Sequence, residues 1–271
     1  MRREIILAPG AAAAFRRLVL INRGETTVQK RSPSHASPVG HRPSTFWVGF
    51  VVLLALWVTA GIGQKAAAQS GSTLSIYLAR HGQTDWNVEG RTQGGTDTPL
   101  NATGRAQATQ LKTRLTGVQF DAVYSSTLGR SLETGEIARG TVPLSRLAGL
   151  SERRFGKFEG RLTSDPEMGP EFERRRWTPE DSLDGGESLN AFTVRVRAAL
   201  ETIQREHPSG TVLVVGHGNT NQVLLGVLFG LTIDQMRSFR QENDELYLIQ
   251  IQAGTTPRLW KLITKDNLKE L

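Results

Sequence analysis

The chain has 271 residues, 38% of them hydrophobic, which suffices for one large domain or two small ones. It contains no cysteine, so disulfides, thiolate metal sites, a cysteine nucleophile and a lipid-modified N-terminal cysteine are excluded. The net charge of +7 sits entirely in residues 1–68, with nine Lys or Arg against two Glu, and the remainder is balanced at 24 against 24. That distribution reads as targeting and argues against a nucleic-acid-binding domain, whose basic surface belongs to the folded part.

Residues 1–45 form a basic extension rich in Arg, Ser, Pro and His without periodicity, expected to be disordered. From Phe46 to Gly63 the chain runs 18 residues without a charge. This is the lower limit for spanning a hydrocarbon core of about 30 Å and long for the apolar part of a signal peptide. Ala66 and Ala68 then stand in an A-x-A arrangement that a signal peptidase could cut before Gln69. Arg42 precedes the run and only Lys65 follows closely, so the N-terminus is expected to stay in the cytoplasm. Segment 46–68 is thus expected to be a signal peptide or membrane anchor, exporting the domain or holding it on the outer side of the membrane. A buried core helix is the weaker alternative, since nothing amphipathic surrounds the run.

The folded domain is expected over 73–263. LSIYLA (74–79) is strand-like, and TGRAQATQLKTRL (103–115) carries Ala106, Leu111 and Leu115 at helical spacing, with Thr103 as N-cap. DAVYSS (121–126) reads as a strand and TLGRSLETGEIA (127–138) as a helix. ESLNAFTVRVRAALETIQRE (187–206) is the clearest amphipathic helix, and HPSG turns it into the β-branched strand TVLVVG (211–216). NTNQVLLGVLFG (219–230) follows as a helix ended by Gly230, and 244–251 and 258–263 read as closing strands. The alternation predicts a three-layer α/β/α sandwich with a mostly parallel central sheet.

In such folds sites form at the carboxyl ends of strands. Arg80-His81-Gly82 and Gly216-His217-Gly218 both fall there, and the domain's third histidine, His207, is read as solvated in its turn. Beside a cation an imidazole stays neutral and keeps a lone pair for nucleophilic attack. On a phosphoryl group, Arg80 could clamp the developing charge. Arg130, near the start of a helix after a strand, could supply a second clamp, and His217 could donate to the same anion. Glu152 in LSERRFGKFEG is the best-placed acid for a leaving alkoxide, although spacing alone favours a surface pair with Arg153 or Arg154. Arg174, Arg175 and Arg176 read as a solvated charge run; Trp86, Phe155 and Phe158 read as packing.

In order along the chain, L-x-R-H-G-Q-T-x-W-N (78–87), G-x-x-D-x-P-L-x-x-x-G-x-x-Q-A (94–108) and S-S-x-L-x-R-x-x-x-T (125–134) resemble the histidine phosphatase, or phosphoglycerate mutase-like, superfamily. The resemblance continues through L-x-E-x-x-F-G-x-x-E-G (150–160), G-G-E-S (185–188) and V-x-V-V-G-H-G (212–218). It implies a phosphomonoester hydrolase in which His81 becomes phosphohistidine. Arg80, Arg130 and His217 would form the phosphate pocket, Asn87 would be a further phosphate contact and Glu152 the proton donor. It also implies a small phosphorylated substrate, no metal and no organic cofactor, in line with the absence of a P-loop or ligand cluster. The alternatives are a cofactor-dependent phosphoglycerate mutase and a non-catalytic phosphate-binding domain. Against the mutase, the segment after Glu152 is short and reads Arg-Arg-Phe-Gly where those mutases carry Arg-His-Tyr-Gly. Arg175–Arg176 is either a remnant of their substrate-carboxylate pair or surface. Substrate choice is expected to lie in 155–184.

Overall fold

The computed structural model describes residues 72–264 and 267–271. The basic extension 1–45 and the apolar segment 46–68 lie outside the described residues. Among those described, no helix is long and apolar enough to cross a membrane.

Seven strands form one sheet, β1 (Thr73–Arg80), β2 (Ala122–Ser125), β3 (Leu144–Arg146), β4 (Gly210–Gly216), β5 (Leu246–Gln252), β6 (Arg258–Thr264) and β7 (Asn267–Glu270). Their spatial order is β3-β2-β4-β1-β5-β6-β7. The run β3-β2-β4-β1 is parallel, with β1 and β4 in register from Leu74 opposite Gly210 to Arg80 opposite Gly216. From β5 onward every pairing is antiparallel. The sheet is therefore mixed, which corrects the mostly parallel expectation. The reason is local: only residues 253–257 join β5 to β6, and a parallel return needs a crossover of about a dozen residues or more.

The helices are α1 (Asp85–Val88), α2 (Ala102–Arg114), α3 (Gly129–Ala138), α4 (Met168–Arg175), α5 (Leu189–Glu206), α6 (Gly218–Phe229) and α7 (Ile233–Ser238). Because strand side chains alternate, Leu74, Ile76 and Leu78 of β1 and Val212 and Val214 of β4 share one core with Phe192, Val196, Ile203 and Leu224 of α5 and α6. Ala79, Leu213 and Val215 face the opposite way, onto Leu111 of α2 and Ala138 of α3. The three layers expected from the sequence are present. A third, smaller cluster of Phe155, Phe158, Phe172 and Leu183 lies under segment 151–187.

Caps explain where several helices begin and stop. Asn101, not Thr103, caps α2, its side-chain oxygen accepting from the Gly104 N–H at 2.9 Å. Ser188 caps α5 through the Ala191 N–H at 3.1 Å, and Gly230 ends α6 in the left-handed region with φ 64°. His207 is not merely solvated, since its Nε2 lies 2.9 Å from the Tyr124 hydroxyl. That hydroxyl also donates to Glu206 at 2.7 Å.

Candidate active site

The ends of β1 and β4 lie side by side, and the His81 N–H donates to the Gly216 carbonyl at 3.0 Å. This parallel pairing brings the two histidines together, with ring centroids 5.1 Å apart and planes tilted by 55°. Gly82 has no room for a side chain, because a β-carbon there would collide with the Gly104 carbonyl. The glycine after the first histidine thus lets α2 approach the strand end closely.

His81 Nδ1 lies 2.7 Å from the Gly82 carbonyl. A carbonyl can only accept, so the proton sits on Nδ1 and the lone pair on Nε2. Burial, then the nearby Arg130 and Arg80, hold the His81 pKa well below the usual imidazole value near 6.5. The ring is neutral at pH 7 with a free nitrogen, as a nucleophile must be. His217 is pushed down in the same way by burial and by Arg130, His81 and Arg80. Its Nε2 meets the Ser126 hydroxyl at 2.7 Å, and Ser126 already accepts from the Leu128 N–H at 3.2 Å. Given the Ser126 proton, Nε2 leaves its own hydrogen to Nδ1, which is buried and has no partner among the described residues.

Two arginines flank the pair. Arg130, fully buried on the first turn of α3, donates from Nη1 to the Thr96 carbonyl and from Nη2 to the Gly94 carbonyl, each at 2.8 Å. Arg80 donates from Nη1 to the Gln241 carbonyl at 2.9 Å. In both, Nε is buried and unpartnered among the described residues. Burial lowers both guanidinium pKa values, and the charge of Glu152 works against that. Both remain cations at neutral pH, each with a donor left over.

Glu152 is buried, not paired at the surface. Its Oε1 accepts from the N–H groups of Arg153 and Thr220 at 2.9 and 3.2 Å and from the Thr220 hydroxyl at 3.3 Å. Its Oε2 accepts from the backbone and side-chain N–H groups of Asn219 at 3.1 and 3.2 Å. The carboxylate therefore sits on the first turn of α6, where backbone donors are free. Arg153, its expected surface partner, is buried and donates from Nε to the Glu187 carbonyl at 2.7 Å. Asn87 lies on α1, where its Oδ1 accepts from the Thr84 N–H at 3.1 Å and lies 3.1 Å from the Thr84 hydroxyl. That leaves the amide nitrogen as its donor.

These groups meet at a cleft of about 240 Å³ whose lining includes Arg80, His81, Asn87, Arg130 and Glu152. His217 is fully buried next to His81. All six residues singled out in the sequence thus come together. The charge run 174–176 does not behave as one unit. Arg175 is tied to Asp181, Asp184 and Glu171 at 2.7–2.9 Å, whereas Arg176 turns into the cleft. Phe158 packs as expected, but the buried Phe155 also lines the cleft.

Sequence reasoning missed several contributors. Ser126, which orients His217, stood in the motif S-S-x-L-x-R without an assigned task. Glu159, from the motif that holds Glu152, accepts from the N–H groups of Gly95 and Thr96 at 2.9 Å each. It thereby shapes the loop whose carbonyls hold Arg130. Gln241, 2% exposed, donates to the Leu78 carbonyl at 3.0 Å and accepts from Asn221 at 2.7 Å. No local pattern marks it. Among the described residues no group of three or more His, Asp or Glu side chains is arranged to hold a metal ion.

A neutral histidine between a fully buried and a half-buried arginine, at the carboxyl edge of an α/β sheet, makes a cleft suited to an anion. The chain belongs to the histidine phosphatase superfamily, branch 1, whose profile matches residues 76–262. A Shigella boydii protein named "Probable phosphoglycerate mutase GpmB" is 35% identical over 192 residues, which cover 67% of this chain and 86% of that protein. The Bacillus subtilis protein named "Uncharacterized phosphatase PhoE" is 32% identical over 158 residues, 58% of this chain and 78% of that one. Among solved structures, YhfR of Bacillus stearothermophilus matches with a TM-score of 0.61 at 33% identity, covering 67% of this chain and 93% of its own. The alpha-ribazole phosphatase from Shigella flexneri matches with a TM-score of 0.62 at 28% identity, covering 70% and 96%.

Proposed function

We propose that this chain hydrolyses a small phosphomonoester through a covalent phosphohistidine on His81. The observation that carries the reading is the arrangement at His81: a neutral ring with Nε2 free, between Arg80 and Arg130, each of which keeps a buried, unused Nε–H. Arg80, Arg130, His217 Nδ1 and the Asn87 amide would bind the phosphoryl oxygens and stabilise charge as it spreads over them. The His81 Nε2 lone pair forms the N–P bond while the ester O–P bond breaks on the opposite side. The departing oxygen takes a proton from Glu152. Water then attacks phosphorus, gives its proton back to Glu152, and the N–P electrons return to Nε2 as inorganic phosphate leaves. The Gly82 carbonyl supports Nδ1–H throughout, as the phosphorylated ring becomes cationic.

Glu152 has to carry a proton at one stage, and on Oε1 the Thr220 hydroxyl, 3.3 Å away, can accept it, because its own hydrogen then goes to the Ser151 carbonyl at 3.0 Å. A proton on Oε2 must displace one of the two Asn219 N–H groups there, and the side-chain amide of Asn219 is the one that can rotate away. Rapid-quench labelling with a radiolabelled phosphate ester tests the proposal. Acid-labile label is expected on the wild type and none on His81→Ala. Label that persists on His81→Ala would sink it, and an unlabelled, inactive wild type would favour the non-catalytic alternative. We further propose that 73–263 is the catalytic unit and that 46–68 exports it. Recovery of an N-terminally intact chain in the soluble cytoplasmic fraction would reject export.

A further inference from the structure

Arg80 and His81 stand where the sheet runs out on one side. β5 pairs with β1 only as far as Ala79 opposite Leu246, so both residues project beyond the end of that neighbour. On the other side β4 still supports them, with Arg80 opposite Gly216 and the His81 N–H donating to the Gly216 carbonyl at 3.0 Å. A strand end without a ladder partner leaves backbone groups that are costly when buried and free to shift.

Side-chain amides take over the task of the missing ladder. Gln241, in the segment between α7 and β5, donates from Nε2 to the Leu78 and Glu245 carbonyls at 3.0 and 3.1 Å. Its Oε1 accepts from Asn221, whose Nδ2 also donates to the Ala79 carbonyl at 3.1 Å. Two positions on, Asn243 donates from Nδ2 to the His81 carbonyl at 2.7 Å. The segment is itself fixed from outside, because Arg114 of α2 donates to the Asp244 carbonyl at 2.7 Å and to the Leu262 carbonyl at 2.6 Å.

The Asn243 bond differs from the others in the peptide it holds. The His81 carbonyl and the Gly82 N–H belong to one rigid plane. Asn243 fixes the carbonyl end of that plane, and Thr134 Oγ1 accepts from its N–H end at 3.0 Å. The next carbonyl, that of Gly82, receives the His81 Nδ1–H at 2.7 Å and so sets the direction of Nε2. Position 82 has to be glycine for α2 to come close, and a glycine adds no stiffness of its own to the chain. The stiffness therefore has to come from outside contacts.

We propose that Asn243 is a positioning residue of the reaction: its hydrogen bond fixes the His81–Gly82 peptide and, through it, the line along which Nε2 attacks. The proposal rests on the reading of His81 as nucleophile. Asn243 acts on the rate of N–P bond formation and leaves anion binding alone. Arg80 keeps its anchor at the Gln241 carbonyl, and Arg130 keeps its own at Gly94 and Thr96.

Two variants of the full chain test this, Asn243→Ala and Asn243→Leu. Both lose the donor, and only the first also loses the volume. The rate of His81 labelling is measured in a single turnover at saturating radiolabelled phosphate ester, and the dissociation constant of inorganic phosphate by titration calorimetry. A misplacement of about 1 Å can cost about 10²-fold, so both variants are expected to label about 10- to 100-fold more slowly than the wild type, with the phosphate constant unchanged. Asn243 is half-buried at a turn, so neither change opens the core. Labelling at the wild-type rate in either variant overturns the role, since a slow Asn243→Ala beside a normal Asn243→Leu would mean lost packing and not a lost hydrogen bond. Phosphate affinity that falls along with the rate overturns it as well, because a general loosening of the site would do that. A wild type that takes no label overturns the reading of His81 as nucleophile, a failure distinct from a variant that labels normally.

Discussion

The floor of the cleft and its wall are built on different principles. On the floor, Arg80, His81 and His217 sit at strand ends and the Glu152 carboxylate rests against the first turn of α6; Ser126 orients His217, and the other three are held mainly by backbone, the Gly82 and Gln241 carbonyls and the Asn219 and Thr220 N–H groups among them. The wall, 155–184, rests on its own small cluster of Phe155, Phe158, Phe172 and Leu183 and on the ionic knot around Arg175. Backbone anchoring tolerates little displacement, which suits the in-line attack proposed for His81. Side-chain clusters can be exchanged without moving the sheet, which suits a surface that chooses substrates. The floor should therefore govern turnover on every ester, and the wall mostly stability and selection.

Substitutions on the floor should have the largest effects. General acid catalysis contributes about 10²- to 10⁴-fold, so Glu152→Gln is expected to lose that factor on alkyl esters and much less on aryl esters whose leaving group departs unprotonated. Equal loss on both classes would remove Glu152 from the proton-donor role. Arg130→Ala should cost about 10²- to 10³-fold on alkyl and aryl esters alike, because it deletes a preorganised charge and frees the loop carbonyls of Gly94 and Thr96. A loss confined to one class of ester would place Arg130 outside the phosphoryl clamp.

The pH profile sharpens the same side of the comparison. His81 is kept neutral by burial and by Arg130 and Arg80, so the acid limb of kcat/KM, corrected for the substrate's own ionisation, is expected well below 6.5. In Arg130→Gln a cation is lost and the limb should move up. A limb near 6.5 in the wild type would contradict the buried, neutral nucleophile.

Wall substitutions should act on stability first. Phe172→Ala empties the centre of the small cluster, a change that typically costs about 3–5 kcal/mol where a core ring is lost. Thermal unfolding would show it, with kcat on the plain aryl ester falling far less than in Arg130→Ala. Arg175→Ala should be milder than Phe172→Ala in denaturant titration, because it opens a partly exposed ionic knot and leaves the rings of the cluster in place. Its effect should depend on pH. Arg175 holds the Asp181 pKa down at about 2, from an ordinary 3.8, so the stabilisation is present above pH 3.8 and is lost as pH falls towards 2. If the variant and the wild type differ equally at pH 2 and pH 6, the knot does not act through those carboxylates.

Sequence alone determined the parts of this protein whose signals are local. A β-branched run followed by His-Gly marks a strand end, an amphipathic period marks α5, and the motifs around His81, Arg130 and Glu152 each stay within about a dozen residues. These were enough for the layers, the family and the choice of the six residues that folding brings together at the cleft. The tertiary structure decided what depends on distant segments meeting. The antiparallel half of the sheet follows from which edge β5 joins, and the burial of Glu152 from the arrival of α6. The Gln241 contact with Arg80 spans 161 positions, and the Asn243 contact with His81 spans 162. Spacing along the chain carries no record of such contacts, because the energy that fixes them is burial and charge shared between side chains that only folding brings together.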